Sequence, residues 1–267
     1  MAFLEKIRMI KAVFFDCDGT LLSHNSGVVP ASAKQTLEDL RKKGIKTILS
    51  TGRHVSELAQ LEPMHGIEFD AYITLNGACS YDAEGIFDSH PIDRGDIERV
   101  YAFLQENNLP IQFLEDTENY ISSVNETVIR SQAMIHTPVP PVMPMDRILT
   151  HPVYMFIPFG IQAFEPLEAQ LRHVRCTRWN AHDAIDVFHE DAGKEKGMQA
   201  WMERYGIDRT ETAAFGDAMN DSTMLETAGI GVAMGNSTEE LKAIADYVAD
   251  DIDDNGVAGA LAALGIL

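Results

Sequence analysis

The chain has 267 residues, 45% of them hydrophobic and 23% charged, which is enough to bury one large core or two smaller ones. A formal net charge of −20 argues against nucleic acid or an anionic membrane as partner, because both need a basic surface. No apolar run approaches the roughly 20 residues that cross a bilayer, Met1–Lys11 has no signal-peptide form, and Cys17, Cys79 and Cys176, odd in number and far apart, fit free thiols in a reducing cytoplasm.

The elements alternate in the first third. Met9 stands just before the first strand, so 1–8 reads as a candidate upstream extension. Ala12–Phe15 is a short aromatic and β-branched run, the pattern of a buried strand. Ser32–Lys43 carries a helical face of Ala33, Leu37 and Leu40 and stops at Gly44. Ile45–Ser50 is a second strand, Val55–Leu61 a short helix and Ala71–Leu75 a third strand that ends at the turn signal Asn76-Gly77. Strands alternating with helices imply a parallel sheet covered on both faces. The middle changes style, with a helix in Arg94–Asn107, strands at Ile111–Leu114 and Tyr120–Val124, and four prolines in Thr137–Pro144 that exclude regular structure. Val153–Ile157 (strand), Ala163–Leu171 (helix) and Val174–Trp179 (strand) complete an α+β insert. From Ala184 the first style resumes: strands at Ala184–Phe188, Thr212–Phe215, Ile230–Ala233 and Tyr247–Val248, with helices at Lys196–Tyr205, Ser222–Thr227, Thr238–Ala245 and Val257–Leu264. The expected division is a discontinuous core of 1–82 and 183–267 around an insert of 83–182.

Chemistry gathers where strands end. Asp16-Cys17-Asp18-Gly19-Thr20 follows the first strand, and side chains two apart on extended backbone share a direction. Asp16 and Asp18 are then either a pair that needs a cation or proton between them, or two solvated acids of a turn. Ser50-Thr51-Gly52-Arg53 follows the second strand, in the place where open parallel sheets bind ligands. Gly216-Asp217-Ala218-Met219-Asn220-Asp221 follows another strand and adds a second acidic pair, against the plainer reading of a capped helix start. Hard oxygen donors of this kind favour Mg²⁺. Gly193-Lys194-Glu195-Lys196-Gly197 opens a helix, with a lysine suited to phosphate. Of its two lysines, Lys194 is read as solvated.

Taken together, Asp16–Thr20, Thr51, Lys196 and Gly216–Asp221 resemble, in order, the four motifs of the haloacid dehalogenase (HAD) superfamily, over roughly 60% of the chain. The insert lies between the second and third motifs, which resembles the Cof-type branch with its α+β (C2-type) cap. Asn76-Gly77-Ala78, Lys196-Gly197, Met234-Gly235-Asn236 and Asn255-Gly256-Val257-Ala258 match it locally. Cys17 stands where that branch often has another residue and is read as lending its backbone N–H to a phosphate. The resemblance implies a Rossmann-like α/β core with an inserted cap that closes over the site, and a Mg²⁺-dependent phosphatase acting on small phosphorylated metabolites. It implies Asp16 as nucleophile, forming an aspartyl phosphate, and Asp18 as general acid and base. It also implies Mg²⁺ on the Asp16 carboxylate, the Asp18 carbonyl, Asp217 and, through water, Asp221. The phosphoryl oxygens would be held by Thr51, Gly52, Lys196 and Asn220.

The rivals are a sugar phosphomutase and a non-catalytic phosphometabolite-binding protein, the latter disfavoured by an intact set of acids. Other residues carry plainer expectations. His182 and His189 flank the return from the insert, where packing or surface placement is read ahead of a role at the cap hinge, and for Arg178 and Trp179 a packed tryptophan is read ahead of lining the entrance. Arg53 and His54 are weak candidates to face a substrate, and Asp250, Asp251, Asp253 and Asp254 read as a solvated loop.

Overall fold

The computed structural model describes residues 10–135, 137–179 and 183–267, so the expectations for 1–8 and His182 lie outside the described residues. In chain order the first flank holds β1 (Ala12–Phe15), α1 (Ala31–Lys42), β2 (Lys46–Ser50), α2 (Val55–Gln60), β3 (Ala71–Thr74), β4 (Cys79–Asp82) and β5 (Gly85–Ser89). The middle holds α3 (Arg94–Glu106), β6 (Ile111–Leu114), β7 (Asn119–Ile121), α4 (Glu126–Met134), β8 (Met155–Pro158), α5 (Ile161–Glu168), β9 (Val174–Arg178) and β10 (Ile185–His189). The last flank holds α6 (Lys194–Tyr205), β11 (Thr212–Gly216), α7 (Ser222–Thr227), β12 (Ile230–Ala233), α8 (Glu239–Ile244), β13 (Tyr247–Val248) and α9 (Gly256–Ala263).

The chain forms two compact units. One comprises residues 10–52, Leu61–Asp88 and Gly193–Leu267; the other comprises Arg53–Gln60 and Ser89–Ala192. The first is built on an eight-stranded sheet in the order β13-β12-β11-β1-β2-β3-β4-β5. It is parallel from β13 to β3, and β4 runs antiparallel to β3. All four residues of β1 are fully buried, which is why that strand reads as an unbroken apolar run rather than an alternating one. Phe14 meets Trp201 of α6 edge to face at 5.6 Å, and Phe15 stacks on Phe215 of β11 at 5.2 Å.

The second unit is built on a five-stranded antiparallel sheet, β7-β6-β8-β10-β9. Phe113, Tyr120, Phe156, Phe164, Ile185 and Val187 form its buried centre. The expected boundaries shift accordingly. Gly85–Ser89 continues the first sheet, so the insert starts later than residue 83. The strand at Ile185–His189, expected in the core, pairs with β8 and β9 in the second sheet, so the insert ends later than residue 182. Helix α4, for which no element was expected, is capped by Asn125, whose side chain accepts from Val128 N at 3.0 Å.

Candidate active site

The site lies at the carboxyl ends of β1, β2 and β11, where the strand order puts β1 between the other two. Asp16 leaves β1 with its N–H donated to Phe215 O at 2.9 Å, which ties the ends of β1 and β11 side by side. The chain then turns sharply. Cys17 O accepts from Leu21 N and Leu22 N at 2.9 and 2.8 Å, and Gly19 N donates to Leu22 O at 2.8 Å. Gly19 sits at φ +80, and a Cβ there would lie 2.0 Å from Asp217 Oδ2. No side chain fits at that point, because the backbone of the first loop rests directly against the carboxylate of the second.

The second loop is held by Asp221. Its Oδ2 accepts from Asp217 N and Ala218 N, both at 3.1 Å, and its Oδ1 accepts from Lys194 Nζ at 2.7 Å. Asp221 therefore organises the loop N-terminal to it instead of capping the helix that follows. Carboxylate oxygens of Asp16, Asp217 and Asp221 lie within 4.8 Å of one another. Burial, then the neighbouring acids Asp221, Asp217 and Asp18, push the Asp16 carboxyl well above its ordinary range. Burial and Asp221 push Asp217 up to about 7.

Lys194 is set inside this cluster, its side chain 1% exposed, with Nζ 2.6 Å from Asp16 Oδ1 and 2.7 Å from Asp221 Oδ1. Burial works against its charge, but the two carboxylates outweigh that and hold the ammonium protonated. This corrects the expectation for both lysines. Lys194 is the buried cation, and Lys196 is exposed on α6. Two residues are about 200° of helix, so only one of the pair can face the carboxyl end of β1. The structure places Lys194, rather than the Lys196 that the resemblance singled out, against these acids. The usable signal was helix register, since Lys196 and Gln199 share an exposed face while Lys194, Gly197, Met198 and Trp201 share the buried one.

Thr51 is buried, with its N–H donated to Ile73 O at 2.8 Å and its carbonyl accepting from Asn76 N at 3.1 Å. Gly52 lies against the Asn76 carboxamide. Asn220 is exposed and donates from Nδ2 to Asn76 Oδ1 at 3.5 Å. Asn76, in left-handed conformation at φ 54, thus joins the turn after β2 to the loop after β11. From the sequence Asn76 reads as part of a turn signal and of a local family match, neither of which points to this bridging position. Cys17 is fully buried and Asp18 half-buried.

Comparison with known proteins agrees with this architecture. A family model described as haloacid dehalogenase-like hydrolase matches residues 13–261. The protein YkrA of Bacillus subtilis is 29% identical over 96% of this chain and 98% of its own length. The pyridoxal phosphate phosphatase YbhA of Escherichia coli is 26% identical over 93% of this chain and 96% of its own. Among solved structures, the subclass IIB sugar phosphatase BT4131 superposes with a TM-score of 0.83 at 32% identity, covering 96% of this chain and 100% of that one. With a family model matched over 13–261 and a fold shared with a solved phosphatase along nearly its whole length, the chain belongs to the haloacid dehalogenase-like hydrolases, as an enzyme of the phosphoric monoester hydrolase type.

Proposed function

We propose that the protein is a Mg²⁺-dependent phosphatase of small phosphorylated metabolites that works through a phosphorylated Asp16. The observation that supports this most is the buried Asp16–Lys194–Asp221 arrangement with Asp217 beside it. The donor set fits a small hard cation: carboxylate oxygens converge from two loops, and burial together with mutual repulsion raises Asp16 and Asp217, the mark of acids gathered with too little positive charge. Asp16, Asp217 and Asp221, with the Asp18 carbonyl, would hold the ion. When bound, Mg²⁺ neutralises charge on the phosphoryl oxygens and favours in-line attack.

The residues divide the remaining work. Lys194, 2.6 Å from Asp16 Oδ1, favours the ionised carboxylate that attacks phosphorus. As the Asp16 oxygen–phosphorus bond forms, the bond to the ester oxygen breaks, and Asp18 gives that oxygen a proton. Asp18 then takes a proton from water, whose oxygen bonds to phosphorus and frees Asp16. Thr51, the Gly52 N–H, Lys194 and Asn220 would receive the equatorial oxygens. The substrate class is inferred from relatives that include a pyridoxal phosphate phosphatase and a sugar phosphatase. Cys17, Cys79 and Cys176 are free thiols, which supports a reducing compartment such as the cytoplasm. Among the described residues no helix is long and apolar enough to cross a membrane.

The test is phosphate release from a panel of phosphorylated sugars and cofactors, with and without Mg²⁺, with Asp16→Asn as blank. Mg²⁺-dependent release above the blank is expected. Transfer of phosphate between positions of a sugar without release would point to a mutase instead. Full turnover by Asp16→Asn would remove Asp16 as nucleophile.

A further inference from the structure

Asn236 follows β12 in a loop whose Met234 N donates to Gly216 O at 2.9 Å and whose Gly235 N donates to Asp250 O at 3.0 Å. Its carboxamide is used at both ends. Nδ2 donates to Gly19 O at 2.8 Å, and Oδ1 accepts from Ile252 N at 3.0 Å. The partners fix the orientation of the amide, since a carbonyl can only accept and an N–H only donate. Gly19 is the residue after Asp18, and it is also the residue pressed against Asp217. A second link runs from the connection after β1 to the segment of Ile252: Asn25 Nδ2 donates to Asp253 Oδ2 at 3.2 Å. The segment 250–255 is itself internally braced. Asp251 Oδ1 accepts from Asp253 N at 2.9 Å, and Asp251 O accepts from Gly256 N at 3.1 Å. The acidic run is exposed at Asp250, Asp253 and Asp254, as expected of a solvated loop, and its backbone is also hydrogen-bonded to the Asn236 carboxamide that reaches Gly19.

We propose that Asn236 is a positioning residue: it pins the Gly19 carbonyl to the Asp250–Asn255 segment and so sets the aim of Asp18 and its spacing from Asp217. This rests on the phosphatase reading for its catalytic consequence, but not for its structural one. Asparagine suits the position because its short planar group offers one donor and one acceptor in opposite directions. Aspartate keeps the acceptor for Ile252 N and loses the donor for Gly19 O. Asn236→Asp therefore isolates the bond that matters.

The experiment pairs hydrogen exchange with kinetics on the full chain. In Asn236→Ala and Asn236→Asp alike, the amides of Gly19, Leu21 and Leu22 are expected to exchange roughly ten-fold faster, while helix Ala31–Lys42 is unchanged. On an alkyl phosphate, which needs a protonated leaving group, kcat should fall roughly ten-fold with KM unchanged. On 4-nitrophenyl phosphate, which does not, the fall should stay within about three-fold. Unaltered exchange in both variants, or wild-type exchange in Asn236→Asp, overturns the proposal whatever the activity. An equal loss on both substrates overturns the link to Asp18. Absence of phosphate release from the wild-type protein would defeat the phosphatase reading alone, and exchange would still decide whether Asn236 pins the loop.

Discussion

Replacing Lys194 by methionine keeps a long side chain and removes its charge, which leaves Asp16 and Asp221 buried without their cation. Losing one preorganised charge aimed at a transferring group commonly costs two to three orders of magnitude. Lys194→Met is expected to lower kcat by about 100-fold or more, whereas Lys196→Ala, on an exposed turn of the same helix, should stay within about two-fold. A reversed order of effects would restore Lys196 to the site. Asp217 supplies a second residue-level prediction. If Mg²⁺ binds only the folded site, saturating it to about 100 times its Kd adds about 2.7 kcal/mol of stability. Thermal unfolding with and without Mg²⁺ should show this response in the wild type. In Asp217→Asn the response should shrink strongly, since that substitution removes both a ligand and a source of repulsion.

At the scale of elements, the segment joining β2 to β3 carries a buried histidine. His54 Nε2 lies 3.1 Å from Glu115 O and Nδ1 lies 2.7 Å from Ser56 Oγ, and burial holds the ring below its ordinary pKa of 6.5. The unfolded chain therefore takes up a proton at a pH where the folded unit does not. The contribution to stability is full above about 6.5 and is lost as pH falls from there through the lower folded value. Denaturant unfolding between pH 7.5 and 5 should show this decline in the wild type and a shallower one in His54→Gln. How much of such an element is legible beforehand depends on how local its causes are. The β1 loop was legible because burial on both faces, a strand end and paired acids all occur within nine residues. For β10 the strand was legible but its sheet was not, because a run such as Ile185–Phe188, apolar but for Asp186, suits a parallel or an antiparallel sheet, and its partners β8 and β9 are chosen by tertiary contact. Lys194 was obscured by Lys196 two residues on, which stands in the Lys-Gly pair, although helix register separates the two.

At the scale of the whole molecule, a formal charge of −20 surrounds a site meant for anions. Lys194 is buried against the acids of these loops, but with a net charge of this size and sign the protein's own field does not attract a phosphate ester over long distances. With Mg²⁺ saturating, kcat/KM for a dianionic ester is expected to rise roughly two-fold as monovalent salt increases from about 10 to 200 mM, because screening relaxes repulsion. A fall over the same range would mean that a local positive potential dominates the encounter.

The pairing of β1 with β11 also fixes an order in time. Ala12 lies opposite Thr212, so the strand that ends in Asp16 waits for a neighbour about 200 residues later in the chain. At synthesis rates of roughly 5–20 residues per second, that is about 10–40 s on the ribosome. During this interval β1 can pair with β2 while its other edge, flanked by two phenylalanines, stays open to mispairing. The second sheet, by contrast, is drawn from strands between Ile111 and His189 and can be completed before β11 exists. A released chain that stops near residue 205 should thus carry a protease-resistant second unit and no assembled cluster of acids, so the cluster forms only after β11 has been made.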